Sequence, residues 1–260
     1  MVKYLIHATV KNKYMSYQSI QILGIKFYNG FVKGVFDFLN ENGGLLTVPA
    51  APALVTIKED KGYYNSLLQS DIVIPDSGYM VMIWNSLSKN KITKISGLEF
   101  INYFLIQHEK VNQGQLFLVN PSALDGQINT RYLENYNFKI TTSDNYTAPF
   151  YDNEIIDSDL LIRLEEKKPK WILINIGGGT QEKLGLYLKK NLSYKPAIIC
   201  TGAALSFKTG RQGKIPKWMD QIYLGWLHRC ISSPKTFVPR YFKGIKLMQL
   251  ILHYRSGGIN

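Results

Sequence analysis

The sequence predicts an α/β fold, a Rossmann-like parallel sheet flanked by helices. Three observations carry that expectation. Short apolar runs rich in β-branched residues recur along the chain and stop at Pro, Gly, Asn or Thr. Segments of helical period separate those runs. The alternation continues over roughly 200 residues without an internal repeat or low-complexity linker, which is the pattern of strands joined by crossover helices.

Gly30 to Glu41 places Phe31, Val32, Val35, Phe36 and Leu39 at helical spacing, and Gly43-Gly44 ends that helix. Leu45 to Val48 is a short strand that stops at Pro49. Pro52 is suited to start a helix reaching about Gln69. Asp71 to Ile74 is a strand closed by Pro75, and Asp76 or Ser77 caps the helix containing Met80, Ile83, Trp84 and Leu87. Gly97 to Gln107 reads as a helix, Gln115 to Val119 as a strand, and Ser122 to Glu134 as a helix. A strand is expected at Phe138 to Thr141 and a helix at Ile155 to Glu166. Trp171 to Asn175 is the most strand-like run; a glycine turn then leads to a helix from Thr180 to Lys190 and a strand at Ala197 to Cys200.

The chain has 260 residues, 45% hydrophobic and 19% charged, which supports a packed core and excludes global disorder. Lys and Arg number 31 against 19 Asp and Glu, a net charge of +12. Such an excess calls for an anionic partner: nucleic acid, a phosphorylated metabolite or an anionic membrane. The charge is unevenly placed. From Lys208 onward ten basic residues face a single acid, Asp220, while the rest of the chain holds 21 basic and 18 acidic groups. We therefore divide the chain into an α/β body, residues 1–208, and a basic amphipathic appendage, residues 209–260. The appendage also holds Trp218, Trp226, Phe237 and Phe242. That composition fits helices lying on an anionic bilayer, or equally a helical subdomain packed on the body with solvated charges. No apolar run approaches the ~20 residues of a spanning helix, and Met1 to Met15 lacks a signal-peptide pattern. The two cysteines, Cys200 and Cys230, are far apart in sequence and the four histidines are scattered with no pair at metal spacing, so neither a metal nor a thiol nucleophile is expected.

Three stretches are suited to chemistry. Gly177-Gly178-Gly179-Thr180-Gln181-Glu182 follows a buried strand and opens a helix. Glycines admit a ligand close to the backbone, and a helix start supplies N–H groups and positive dipole, so the stretch suits a diphosphate or merely a tight turn. It matches neither of the common phosphate-loop fingerprints. Asp76, in Ile74-Pro75-Asp76-Ser77-Gly78, stands at a strand's carboxyl end, where ligands of such sheets bind. It is either a general base or a helix cap. Thr47 ends a neighbouring strand. Lys214 to Met219 and Leu224 to Arg229 form the third stretch, with Arg229 and Arg240 as candidates for forked phosphate recognition.

The order of these stretches, from about Gly24 to Gly244, resembles the WecG/TagA/CpsF family of bacterial glycosyltransferases (glycosyltransferase family 26). The family's Thr-x-Asn-Ala, Pro-Asp-Gly and Val-x-Gly-x-Asp segments stand here as Thr47-Val48-Pro49-Ala50, Pro75-Asp76-Ser77-Gly78 and Ile95-Ser96-Gly97-Leu98-Glu99. Its Leu-Gly-x-Pro-x-Gln-Glu and Gly-Ala-Ala-Phe-Asp segments stand as Ile176 to Glu182 and Gly202-Ala203-Ala204-Leu205-Ser206. Its Pro-x-Trp-Met, Trp-Leu-x-Arg and closing Arg-Tyr match Pro216-Lys217-Trp218-Met219, Trp226-Leu227-His228-Arg229 and Arg240-Tyr241. The chain departs from the family at Pro49 (usually Asn), Ser206 (Asp) and Gly225 (Glu), and at Asn120-Pro121, where a Gly-rich strand end is usual.

The resemblance implies the GT-E type fold and an inverting, metal-independent hexosyltransferase without a cofactor. The donor would be a UDP-hexose and the acceptor a polyprenyl-diphosphate-linked saccharide at the cytoplasmic membrane face, for teichoic acid, capsule or exopolysaccharide. It assigns catalysis to Asp76 and Thr47, donor binding to Gly177, Gly178, Gly179, Gln181, Glu182 and Gly202, and the diphosphate to Arg229 and Arg240. Partners are then the donor, the acceptor and the anionic membrane, with no nucleic acid; a homo-oligomer stays open. Two rival classes remain: a nucleic-acid-binding protein and a nucleotide-binding α/β protein without transferase activity. The first lacks a recognised module and the second its glycine fingerprint.

Overall fold

A computed structural model of the protein describes residues 18–152, 154–202, 204–210 and 244–259. Among them eight strands form one sheet in the order β1-β2-β4-β3-β8-β7-β5-β6. These are β1 (Ser19–Ile22), β2 (Ile25–Tyr28), β3 (Gly44–Thr47), β4 (Ile72–Val73), β5 (Leu116–Asn120), β6 (Asn145–Thr147), β7 (Trp171–Ile174) and β8 (Ala197–Cys200). Every pairing is parallel except the β1–β2 hairpin. The expected α/β architecture is what the chain adopts. The central strands β3, β5, β7 and β8 are buried throughout, as their unbroken apolar runs require of a sheet covered on both faces.

Alternation along each strand divides the core. Leu46, Leu118, Leu173 and Ile199 face one side and pack against α1 (Val32–Asn42) and α5 (Gly97–Ile106). Phe36 stacks on Trp171 with ring centroids 5.2 Å apart. Leu45, Phe117, Ile174 and Ile198 face the other side, under α8 (Ser158–Lys167) and α9 (Thr180–Asn191). At Gly185 of α9 an added Cβ would lie 2.6 Å from Leu45 Cδ1 and 3.0 Å from Cys200 Sγ, so glycine lets this helix lie directly on the sheet. A third cluster flanks β2 and β4. It joins α2 (Ala51–Leu54), α3 (Lys61–Leu68), α4 (Gly78–Leu87) and the C-terminal helix α11 (Gly244–Tyr254). The short helices α6 (His108–Asn112) and α10 (Ala204–Lys208), the longer α7 (Ala123–Glu134) and a 3-10 turn at Thr142–Asp144 complete the described elements.

Three local expectations are corrected. The single helix from Pro52 to Gln69 is two, because Asp60 accepts from the Tyr63 N–H at 2.8 Å and starts a new helix, α3. Phe138 and Ile140 do alternate and are buried, but they plug the core beneath α5; the strand beside β5 is Asn145–Thr147. The helix expected at Ile155 begins at Ser158, capped by Asp157. The β1–β2 hairpin is an addition to the elements expected from the sequence. Its two-residue turn puts Leu23 and Gly24 at φ 54° and 78°, and the non-glycine Leu23 hides the turn signal.

The basic segment from 209 onward lies largely outside the described residues, but its last part packs into the body. Leu247, Ile251 and Ile259 are buried in the flanking cluster. The Leu23 N–H donates to the Arg255 carbonyl at 2.7 Å. The Tyr64 hydroxyl donates to the Leu23 carbonyl at 2.9 Å and accepts from the Ile259 N–H at 3.0 Å, tying the first hairpin to the C-terminal residues.

Candidate active site

The carboxyl ends of β4, β3, β8, β7 and β5 lie side by side, and the loops leaving them lead to helix N-termini, the ligand-binding edge of such sheets. Ser77, not Asp76, caps α4; its hydroxyl oxygen accepts from the Met80 N–H at 3.1 Å. That leaves the Asp76 carboxylate for a more distant partner. Its Oδ1 accepts from the backbone N–H of Gly97 at 2.9 Å. Ser96 caps α5 by accepting from the Glu99 N–H at 3.0 Å, which makes Gly97 the first helical residue. The Ile95 N–H donates to the Pro75 carbonyl at 3.3 Å and holds the two loops parallel. A Cβ on Gly97 would lie 3.1 Å from the Thr201 carbonyl and 3.2 Å from Val48 Cγ1. Asp76 and the ends of β3 and β8 therefore converge on one glycine, and Asp76 keeps part of its surface accessible.

Thr47 sits at the end of β3, fully buried, with its side chain turned toward the α3 layer. Its hydroxyl donates to Ser70 Oγ at 3.0 Å, and Ser70 donates to the Ser66 carbonyl at 2.7 Å.

The glycine turn leaves β7 at the same edge. Gly177 and Gly178 are exposed, and a Cβ at Gly177, Gly178 or Gly179 would meet no described residue within 4 Å. Gly179 has φ 90° and precedes α9, and no described residue stands against the turn in front of the helix start. Behind it the Gln181 and Glu182 side chains are each only 1% exposed. Glu182 Oε2 accepts from the Gly179 N–H at 2.7 Å and Oε1 from Gln181 Nε2 at 2.9 Å. Gln181 Oε1 accepts from the Gly202 N–H at 3.1 Å. The pair thus braces the turn after β7 against the loop after β8. Burial pushes the Glu182 carboxyl up to about 7, opposed by its hydrogen bonds from Gln181 and Gly179. Burial also pushes the Tyr63 hydroxyl well above its usual range, with Glu182 and Asp60 adding to the shift.

The structure thus brings together Gly177, Gly178, Gly179, Gln181, Glu182 and Gly202, and places Asp76 on the same edge. Arg229 and Arg240 lie outside the described residues. Among the described residues no cluster of three or more His, Cys, Asp or Glu has the geometry to hold a metal ion. A concavity lined by Trp84, Leu87, Ser88, Lys89, Ile251 and Arg255 lies between α4 and α11, away from the strand ends. The sequence reading missed the role of Gly97 and a set of polar residues that end apolar strands: Asn120 after Val119, Asn175 after Ile174 and Thr201 after Cys200. The legible signal was a single polar residue closing each apolar run.

The family model described as Glycosyl transferase WecG/TagA/CpsF family matches residues 20–259 of this chain. The chain is also similar to a Bacillus subtilis (strain 168) protein, N-acetylglucosaminyldiphosphoundecaprenol N-acetyl-beta-D-mannosaminyltransferase. The two are 24% identical over 239 residues, which cover 86% of this chain and 90% of that protein.

Proposed function

The chain belongs to the WecG/TagA/CpsF family of glycosyl transferases, and from that premise we propose that it moves a hexose from a UDP-sugar to a polyprenyl-diphosphate-linked saccharide, with inversion and without a metal. The observation that carries this reading is the shared edge: the base candidate Asp76 follows β4 and the open glycine turn follows β7, three strand spacings along the sheet. At roughly 4.8 Å per strand that is about 14 Å, a span that a hexosyl diphosphate and an acceptor hydroxyl fill together. The Bacillus subtilis relative's name, with its diphosphoundecaprenol acceptor, supports the acceptor class.

In this mechanism the diphosphate rests on the N–H groups around Gly178 to Thr180, at the positive end of α9. Arg229 and Arg240 meet the remaining phosphate charge. The acceptor hydroxyl gives its proton to the Asp76 carboxylate as its oxygen attacks the anomeric carbon. The bond from that carbon to the UDP oxygen breaks, and UDP leaves with the electron pair. The Gly97 N–H holds the carboxylate in place for that proton. Thr47 acts as a positioning residue that anchors the end of β3 through Ser70.

On this reading the lipid-linked acceptor calls for contact with a membrane, and we take the site of reaction to be the cytoplasmic face, in cell-surface polysaccharide synthesis. No helix among the described residues is long and apolar enough to cross a membrane. α11, however, exposes Ile245, Met248 and Leu252 along one side while Leu247 and Ile251 face inward. With the basic residues of the segment, that stripe suits peripheral contact with an anionic bilayer.

The test is a donor panel of UDP-glucose, UDP-N-acetylmannosamine and UDP-glucuronate with a short-chain polyprenyl-diphosphate N-acetylglucosamine. One donor should release UDP only when the acceptor is present, in EDTA, and give a product of opposite anomeric configuration. UDP release that ignores the acceptor, or no transfer from any nucleotide sugar, would overturn the reading.

A further inference from the structure

A row of polar side chains crosses the sheet one residue beyond its apolar core. The register that pairs Val119 with Ile174 and Ile174 with Cys200 sets Asn120, Asn175 and Thr201 level on β5, β7 and β8. Strand alternation puts all three on the α5 side, directly above Leu118, Leu173 and Ile199. Asn175 is 8% exposed and Thr201 5% exposed.

Hydrogen bonding dictates which way each amide points. A backbone carbonyl only accepts, so the Asn145 atom 3.2 Å from the Thr141 carbonyl is its NH₂ group. Asn145 Oδ1 then faces Asn120 and accepts from Asn120 Nδ2 at 3.1 Å. Asn120 Oδ1 is left to accept from Asn129 Nδ2 at 2.8 Å and from Asn175 Nδ2 at 3.1 Å. The chain of bonds ends at Asn175, whose Oδ1 is left as a buried acceptor. Among the described residues that oxygen has no hydrogen-bond partner, and neither has Thr201 Oγ1 on the next strand. Two buried polar atoms without partners, side by side, are costly unless a ligand completes them.

Their surroundings say which ligand. Gly177 begins the open turn two residues after Asn175, and Thr201 Cβ lies 3.6 Å from the position a Cβ would take on Gly97, whose N–H holds Asp76. The pair therefore lies between the candidate diphosphate cradle and the candidate base. On the transferase reading above, on which this inference rests, that interval belongs to the hexose ring. We propose that Asn175 Oδ1 and Thr201 Oγ1 form the hydrogen-bonding floor of the sugar subsite and select a hexose by one of its hydroxyl or acylamino N–H groups. Asn120 is a positioning residue that fixes the Asn175 amide.

Calorimetry on the full chain tests this with UDP, UDP-glucose, UDP-N-acetylglucosamine and UDP-N-acetylmannosamine, then with the monodeoxy analogues of the hexose that binds tightest. Asn175→Ala and Thr201→Val should each leave UDP affinity within about twofold and weaken the UDP-hexose by roughly 5- to 50-fold. Wild type should reject one monodeoxy analogue that the Asn175→Ala protein binds as well as the parent sugar. If Asn175→Ala does not fold, the near-isosteric Thr201→Val carries the test. Equal hexose binding by variant and wild type, or equal losses for UDP and UDP-hexose, would overturn the inference and leave the pair as a buried water site, with the transferase reading intact. If wild type binds neither UDP nor any UDP-hexose, that reading fails and the inference falls with it.

Discussion

Asp76 Oδ1 and the Gly97 N–H meet at 2.9 Å across 21 residues of sequence. This bond holds a strand-end carboxylate against the first turn of a different helix. Asn at position 76 can still accept from Gly97 but cannot take a proton. Asp76→Asn should therefore keep its thermal midpoint and lose turnover by roughly 10²–10⁴-fold. Near-wild-type turnover in the folded variant would move the base elsewhere.

Gly97→Ala probes the same bond from the other side. The new Cβ would press on the Thr201 carbonyl at 3.1 Å and Val48 at 3.2 Å, pushing α5 off the strand ends and its N–H off Asp76. A loss of about 1–3 kcal/mol is the usual scale for such overpacking, seen by urea titration, with a fall in turnover beside it. A variant as stable and active as wild type would show that close packing here is dispensable.

At Gly178 the expectation is the reverse. A Cβ there meets no described residue within 4 Å, so Gly178→Val should fold with stability within about 0.5 kcal/mol of wild type. It should nevertheless bind UDP roughly tenfold or more weakly, because the side chain fills the space in front of the helix start. Unchanged UDP affinity by calorimetry would place the diphosphate away from this turn.

Glu182 gives the stability curve a pH signature. Burial raises its carboxyl from 4.5 to about 7 in the folded state, so the folded protein holds this proton more tightly than the unfolded chain. Its contribution is fully present below about pH 4.5 and is lost as pH rises through about 7. The stability of wild type minus that of Glu182→Gln should fall by on the order of 1–3 kcal/mol between pH 5 and pH 8. Parallel curves for the two proteins would mean that Glu182 ionises normally.

The two sides of α11 separate folding from attachment. Leu247→Ala, at a fully buried position, should cost about 2–5 kcal/mol in urea unfolding. Leu252→Ser, on the exposed stripe, should change stability by less than about 0.5 kcal/mol yet weaken sedimentation with anionic vesicles. Vesicle binding unaffected by Leu252→Ser would remove the stripe from the membrane reading.

Most of the architecture was legible in the sequence because each signal was local. The unbroken run Trp171-Ile172-Leu173-Ile174 can only be a doubly covered strand, and Gly43 ends α1 because its φ of 61° suits glycine. The glycine turn before Gln181 was visible for the same reason. Local signals misled where burial imitated pairing: Phe138 and Ile140 alternate as a strand would, yet pack on α5 rather than beside β5. Leu23 concealed a hairpin turn whose geometry is held by Tyr64 and Arg255, residues far along the chain.

The sequence by itself determined which segments are buried, since hydrophobic period is a property of neighbours a few residues apart. The tertiary structure alone decided what the polar residues among them do. Asp76 and Ser77 are adjacent and chemically alike as caps, and nothing local says that Ser77 takes α4 while Asp76 reaches Gly97. Asn120, Asn129, Asn145 and Asn175 are unremarkable singly. They become a relay with a fixed acceptor only when β5, β6 and β7 stand in register. The direction of a hydrogen bond depends on which partner the topology delivers, and that partner is set by strand order rather than by distance along the chain.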